Sequence, residues 1–257
     1  MAQSGLRKPC RERQFGAVGV GFVAVAAALA TMARVNRREQ AEIDVHRLEG
    51  LRLGHDGSVA DMCGNGARCF ARYVRKTTGL DRDFTFETAA GIIAASFDGE
   101  RVTVNLTKPK ELKLNLSVPL VSGNVTIHSL NTGVPHAVQY VPDADKAMVL
   151  QHGAEIRKHA HFGPRGPNVN FVQVLGKNHI RVRTFERGVE GETLACGTGV
   201  SASAIISARI HGFTSPVKVL VQGGDELEVS FKESGGEFDG VRLTGPADFA
   251  FTGRIEI

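Results

Sequence analysis

Two short stretches of the chain hold residues whose types and spacing could do chemistry. Residues 60–74 read ADMCGNGARCFARYV and residues 193–206 read TLACGTGVSASAII, so Cys63 and Cys196 each precede a Gly-x-Gly and a helix-like run. A cysteine at a helix start sits beside backbone N–H groups that lack intrahelical partners, and the helix dipole adds partial positive charge there. Such a place favours thiolate, with pKa values falling to about 3.5–7.5 from roughly 8.5. The same N–H groups can hold a carboxylate, and neighbouring glycines let a ligand approach closely because no Cβ intervenes. Two such corners facing each other across a cleft would set one sulfur on either face of a bound carbon. One thiolate removes a proton, the opposite thiol delivers one, and the stereocentre inverts without a cofactor. Any single cysteine is most simply a small buried hydrophobe. That reading is retained for Cys69, which has no matching thiol in the second stretch, and Cys10 is uninformative.

Helices must start at the two cysteines if these corners are to form. After Cys63, Ala67, Phe70, Ala71 and Val74 recur at helical spacing, with Arg68, Arg72 and Arg75 mostly off that stripe, which predicts a helix burying one face. After Cys196, VSASAIISA has no polar side beyond small serines and ends at Arg209, His211 and Gly212, a basic last turn and a stop signal. That helix is expected to be central and wrapped by strands. DFTFET, IIAASFD and RVTVNL read as strands, with a turn at Asp98-Gly99; NVNFVQVL, HIRVRTF, VKVLVQ, ELEVSF and GVRLTGPADFAF continue the pattern. Strand, turn, strand, turn, strand therefore follows each helix, which points to duplication into two like domains. The expected boundary lies near residues 118–127, between an incomplete first domain at 51–122 and a second at 123–257, with the last strand crossing back to the first domain.

With 257 residues the chain is long enough for two domains. A net charge of +4 without a long Lys/Arg block makes no case for nucleic acid, whereas an acidic or zwitterionic small ligand is compatible. Four irregularly spaced cysteines without a CxxC pair argue for reduced thiols rather than disulfides or zinc. The uncharged run from Phe15 to Ala33 has the outline of a signal or anchor, but it consists mostly of Ala, Gly and Val and is a weak membrane segment, so no membrane association is expected.

MCGNGARCFARYV and RTFERGVEGETLACGTG closely resemble the diaminopimelate epimerase family, with support from HDGS at 55–58, NTGVPHAV at 131–138, PNVNFVQV at 167–174 and LTGPADFAFTG near the end. The resemblance runs from about residue 54 to residue 257. It implies an α+β (α/β) fold of two similar domains, each a mixed or antiparallel sheet wrapped around a central helix. It also implies a cytoplasmic isomerase that interconverts LL- and meso-diaminopimelate, without pyridoxal phosphate or metal, and leaves a homodimer open. By the same resemblance Cys63 and Cys196 are the acid/base thiols, Cys63 giving the proton and Cys196 taking it in the LL-to-meso direction. Gly64, Asn65, Gly197 and Thr198 would bind the α-carboxylate; Asn168, Glu186 and Arg187 map onto substrate-binding positions, and His136 and Glu186 onto residues that tune and orient the thiols. Taken alone, His136 reads as a structural histidine and Glu186 as part of a surface ion pair.

Departures from the family pattern gather at the start. The glycine-rich GLGNDF-like segment and the turn that follows it in the family are missing, Leu53 and Gly54 stand where FNA is usual, and Val134 replaces an Asn found in many members. Residues 1–50 therefore read as an atypical segment, from a shifted reading frame or a wrongly assigned start. Two further readings accompany the main one: a cofactor-independent racemase of proline or hydroxyproline, and an inactive binding homologue.

Overall fold

The computed structural model describes residues 63–88 and 91–249. The atypical start, the Phe15 to Ala33 run and HDGS lie outside the described residues.

Helix α1, Gly64–Thr78, begins where predicted because Cys63 adopts an extended backbone and its sulfur accepts the Gly66 N–H. It ends at Gly79, whose left-handed φ of 69° lets its N–H cap the Arg75 carbonyl. Ala67, Phe70, Ala71 and Val74 form the buried stripe. Arg68, expected mostly off that stripe, is buried too. It stands one turn on from Gly64, on the side where α1 meets the rest of the molecule, and its guanidinium bonds the Asn65 side chain at 3.1 Å instead of reaching solvent.

Strands β1 (Phe84–Thr88), β2 (Gly91–Asp98) and β3 (Arg101–Asn105) follow as an antiparallel meander, with the Asp98-Gly99 turn at the place the sequence indicates. Strands β4 (Lys110–Leu120) and β5 (Gly123–Asn131) form a hairpin that contains the expected domain boundary, and β6 (Pro135–Tyr140) pairs with β5. Helix α2 (Val149–Lys158), β7 (Asn168–Gly176), β8 (His179–Glu186) and the short β9 (Gly191–Thr193) lead to the second corner. Helix α3 (Gly197–His211) then precedes β10 (Val217–Val221), β11 (Glu226–Ser234) and β12 (Glu237–Pro246), again an antiparallel meander.

All twelve strands among the described residues belong to one sheet, in the order β1-β2-β3-β12-β11-β10-β8-β7-β6-β5-β4, with β9 attached to β8. Only the β6–β7 and β8–β10 pairs are parallel. The last strand does cross back: β12 pairs with β3, Leu243 opposite Val104, and the hydroxyls of Thr103 and Thr244 meet at 2.7 Å. The two helix-plus-meander units thus join through their third strands.

The sheet curls round α3, which touches β5 to β8 and β10 to β12. That helix is buried from Gly197 to Ala208, as its apolar sequence predicts. Its three serines are tolerated there because Ser201, Ser203 and Ser207 each donate to the carbonyl four residues back, at 2.8 to 2.9 Å. One apolar cluster runs from Phe70 and Val104 on the α1 side through Leu243 to Ile205 and Ile206 of α3. A second, formed by Val169, Phe171, Phe185 and Ile156 among others, lies beneath α2. No helix among the described residues is long and apolar enough to cross a membrane.

Candidate active site

The N-termini of α1 and α3 abut, and glycine makes the approach feasible. A Cβ on Gly64 would stand 3.6 Å from the Gly197 Cα, and one on Gly197 would stand 3.3 Å from the Gly64 Cα and 2.8 Å from Leu243 Cδ2. Intrahelical bonding begins with Ala67 N–H to the Cys63 carbonyl and Val200 N–H to the Cys196 carbonyl, at 2.9 and 2.8 Å. The N–H groups of Gly64, Asn65, Gly197 and Thr198 consequently have no partner within their helices. Two positive helix ends side by side repel each other, so the arrangement is electrostatically complementary to an anion placed against both.

The Asn65 side chain ties the corners together. Its amide nitrogen donates to the Ala195 carbonyl at 3.0 Å, directly before Cys196, while its oxygen accepts from Arg68. The side chain is therefore occupied by the protein itself, and the backbone N–H of Asn65 is what the corner offers a ligand.

The thiols differ sharply. Cys63 is exposed, whereas Cys196 is buried. Packing around the first corner raises the Cys63 thiol, the Gly66 N–H opposes this, Glu186 adds to the rise and Arg68 counters it. Burial pushes Cys196 up to about 12, with Glu186 adding and the Thr198 hydroxyl and Gly199 N–H opposing. Neither thiol rests as the thiolate expected from its place at a helix end, because desolvation outweighs the helix-end donors. Glu186 acts on both sulfurs, and its own carboxyl is raised by burial, with the neighbouring Thr193 hydroxyl opposing.

Around Cys196 the Thr198 hydroxyl lies 3.5 Å from the sulfur and the Asn168 amide 4.0 Å. Asn168 is held by the Arg187 backbone N–H, which donates to its side-chain oxygen at 2.8 Å. The Arg187 guanidinium donates to the Gly166 carbonyl at 3.2 Å. His136 is buried, and burial together with the nearby Arg187 charge lowers it to about 3, so it is neutral in the physiological range. Cys69 is half-buried on α1, its thiol raised by burial. The sequence-predicted residues are thus brought to one region, where the two helix starts meet the ends of β6, β7 and β8. No group of metal-ligating side chains occurs among the described residues.

Sequence reasoning passed over Asn170, Arg68 and Thr132. Asn170 is fully buried and bonds His136, Ala137 and Thr184; the Thr132 hydroxyl donates to the Thr198 carbonyl at 2.9 Å. The signal for Asn170 was present in PNVNFVQV, since the period of two in a strand puts Asn168 and Asn170 on one face and Val169 and Phe171 on the other. Arg68 and Thr132 have no such local signature.

A family model described as diaminopimelate epimerase matches residues 6–112 and 128–250. The diaminopimelate epimerase of Aquifex aeolicus (strain VF5) is 45% identical over 207 residues, covering 78% of this chain and 71% of that protein. That of Methanocella arvoryzae (strain DSM 22066 / NBRC 105507 / MRE50) is 42% identical over 222 residues, covering 80% and 75%. Among solved structures, a hydroxyproline epimerase from Agrobacterium vitis with bound trans-4-hydroxy-L-proline superposes with a TM-score of 0.53 at 17% identity, covering 70% of this chain and 63% of that one. An Enterococcus faecalis protein of the phenazine biosynthesis PhzF family gives 0.52 at 15% identity, covering 74% and 71%. At such identities these two establish the shared fold.

Proposed function

The chain belongs to the diaminopimelate epimerase family, and we propose that Cys63 and Cys196 are the sulfurs through which it exchanges the α-proton of its substrate. It is an isomerase that interconverts LL- and meso-diaminopimelate. The observation that carries the site assignment is the abutting pair of helix N-termini, each capped by one of the cysteines.

The α-carboxylate binds against the N–H groups of Gly64, Asn65, Gly197 and Thr198, which relieves the repulsion between the helix ends. This places the α-carbon between the corners, one sulfur on each face. Inversion needs one thiolate and one thiol. In the LL-to-meso direction Cys196 takes the proton and Cys63 gives it, and the roles reverse in the other direction. Cys63 is exposed and Cys196 buried, and burial raises both thiols, so the reaction begins once one sulfur of the pair has given up its proton. Glu186 raises both thiols and so favours their protonated forms in the ligand-free site. Asn168 and Thr198 orient the Cys196 sulfur, His136 stands by the same corner, and the Arg187 fork suits the distal carboxylate. In this reading the two halves are duplicated domains with the substrate between them, and the active-site chemistry uses no metal or pyridoxal phosphate.

Deuterium wash-in at the α-carbon of LL-diaminopimelate tests the assignment. Cys63→Ala and Cys196→Ala should each lower exchange by about 10²- to 10⁴-fold, the usual weight of a positioned acid or base. Wild-type exchange in both variants would remove the two-sulfur mechanism.

A further inference from the structure

Asn170 makes three hydrogen bonds that together determine the protonation of its neighbour. Its amide nitrogen lies 3.1 Å from the Ala137 carbonyl oxygen and 3.2 Å from His136 Nδ1, and the Thr184 hydroxyl donates to its oxygen at 2.9 Å. A carbonyl can only accept, so the end of Asn170 facing Ala137 is the NH2 group. The same NH2 group faces His136 Nδ1, which must therefore be the accepting nitrogen, and a neutral imidazole accepting at Nδ1 carries its hydrogen on Nε2. That Nε2 is buried and has no hydrogen-bond partner among the described residues. Leaving a buried donor unpaired is destabilising, which makes an orphan of this kind a place to look for a ligand.

The ring lies against the first turn of α3. A Cβ on Gly199 would stand 3.3 Å from His136 Cε1, the carbon bonded to Nε2, and would collide with the Asn170 oxygen. Gly199 is three residues beyond Cys196, so the orphan N–H belongs to the Cys196 corner. The residues set against His136 from neighbouring elements are Leu130 on β5, Asn168 and Asn170 on β7 and Gly199 on α3, none of them charged. Arg187, just beyond β8, is the charge that acts on the ring, and it disfavours imidazolium.

Resting on the reading of the Cys196 corner as half of the reaction site, we propose that Asn170 is a positioning residue that fixes His136 as the Nε2–H imidazole. His136 then serves the site as a hydrogen-bond donor to an anionic oxygen of the ligand and not as a base. A strand neighbour with no place in the cysteine motifs thereby sets the polarity of one wall of the site.

Nitrogen NMR of the full chain labelled with ¹⁵N-histidine, with the His136 signals assigned by their loss in His136→Gln, tests the tautomer directly. The expected result is a protonated Nε2 and an unprotonated Nδ1, unchanged from about pH 5.5 to 8.5 because a buried neutral ring does not titrate there. Protonation at Nδ1, or an imidazolium that titrates in that range, overturns the proposal. This readout needs no turnover, so it fails independently of the two-sulfur mechanism, which the cysteine variants decide.

Asn170→Asp keeps the shape but replaces the donor by an acceptor that draws a proton onto Nδ1. It should lower kcat at least about tenfold, as expected for a misplaced orienting group, and add a histidine ionisation to the pH profile of kcat/KM. A folded Asn170→Asp protein with the wild-type profile overturns the proposed role. If that variant does not fold, the wild-type NMR pattern still decides the tautomer.

Discussion

At the first corner a cysteine lies open to solvent, its sulfur accepting the Gly66 N–H at 3.3 Å with the buried Arg68 beside it. At the second the cysteine is buried, makes no capping bond of that kind, and is surrounded by Thr198, Asn168 and Glu186. Both halves have a helix that starts at a cysteine and a meander that follows it, yet the second helix is enclosed by seven strands, whereas α1 rests on β2, β3 and β12. Like local sequences therefore place their cysteines in unlike surroundings, one exposed and one buried.

The largest expected separation between the corners is in reactivity. Iodoacetamide should alkylate Cys63 at least about tenfold faster than Cys196 at pH 8, because Cys63 is exposed and Cys196 is buried. Peptide mass mapping over time measures this, and equal rates would break the comparison.

Next come the paired glycines. Gly197→Ala places a Cβ 2.8 Å from Leu243 Cδ2, while Gly64→Ala places one 3.1 Å from the same atom. The first should cost about 1–3 kcal/mol of stability, as overpacking does; the second should cost less, because alanine's greater helix propensity, worth up to about 1 kcal/mol, offsets more of it. Denaturant unfolding of both variants reads the difference, and parting the helix ends should raise the KM of each.

The most gradual contrast is in pH dependence. Cys196 is raised to about 12 in the folded chain from 9.0, so the stability tied to its protonated form is full below pH 9 and is lost as pH rises towards 12. His136 is lowered to about 3 from 6.5, so its contribution is full above pH 6.5 and is lost as pH falls towards 3. Each limb has a slope of at most about 1.4 kcal/mol per pH unit. Cys196→Ala should flatten the alkaline limb and His136→Gln the acid one, with Cys63→Ala acting on the alkaline limb in the same direction as Cys196→Ala. Chemical denaturation across pH measures all three.

Much of the site could be read from sequence because its principal residues belong to continuous elements. The cysteine, glycine and apolar spacing after positions 63 and 196 specify two helix starts, and the helix following Cys196 could be placed at the centre because it lacks a polar face. The β3–β12 junction was expected from the repeat and is observed. Arg68 was misplaced for a physical reason. Helical spacing says which side of a helix a residue occupies but not what lies across from it, and here Asn65 and the carbonyls of Gly64 and Pro246 receive the guanidinium. Thiol acidity was misjudged on similar grounds: the helix end is a local feature that sequence reveals, whereas desolvation depends on everything that packs around it.

The sequence by itself determined that two helices would begin at cysteines, each followed by three strands, and that the chain is akin to the diaminopimelate epimerases. Hydrophobic period, capping and turn chemistry act over a few residues, and so they are written locally. Only the tertiary structure decided that Asn65 would bond a carbonyl 130 positions away, that Asn170 would hold His136, and that one sulfur would lie open and the other enclosed. Those outcomes depend on distance and burial, which arise when remote segments pack together and the water between them is removed.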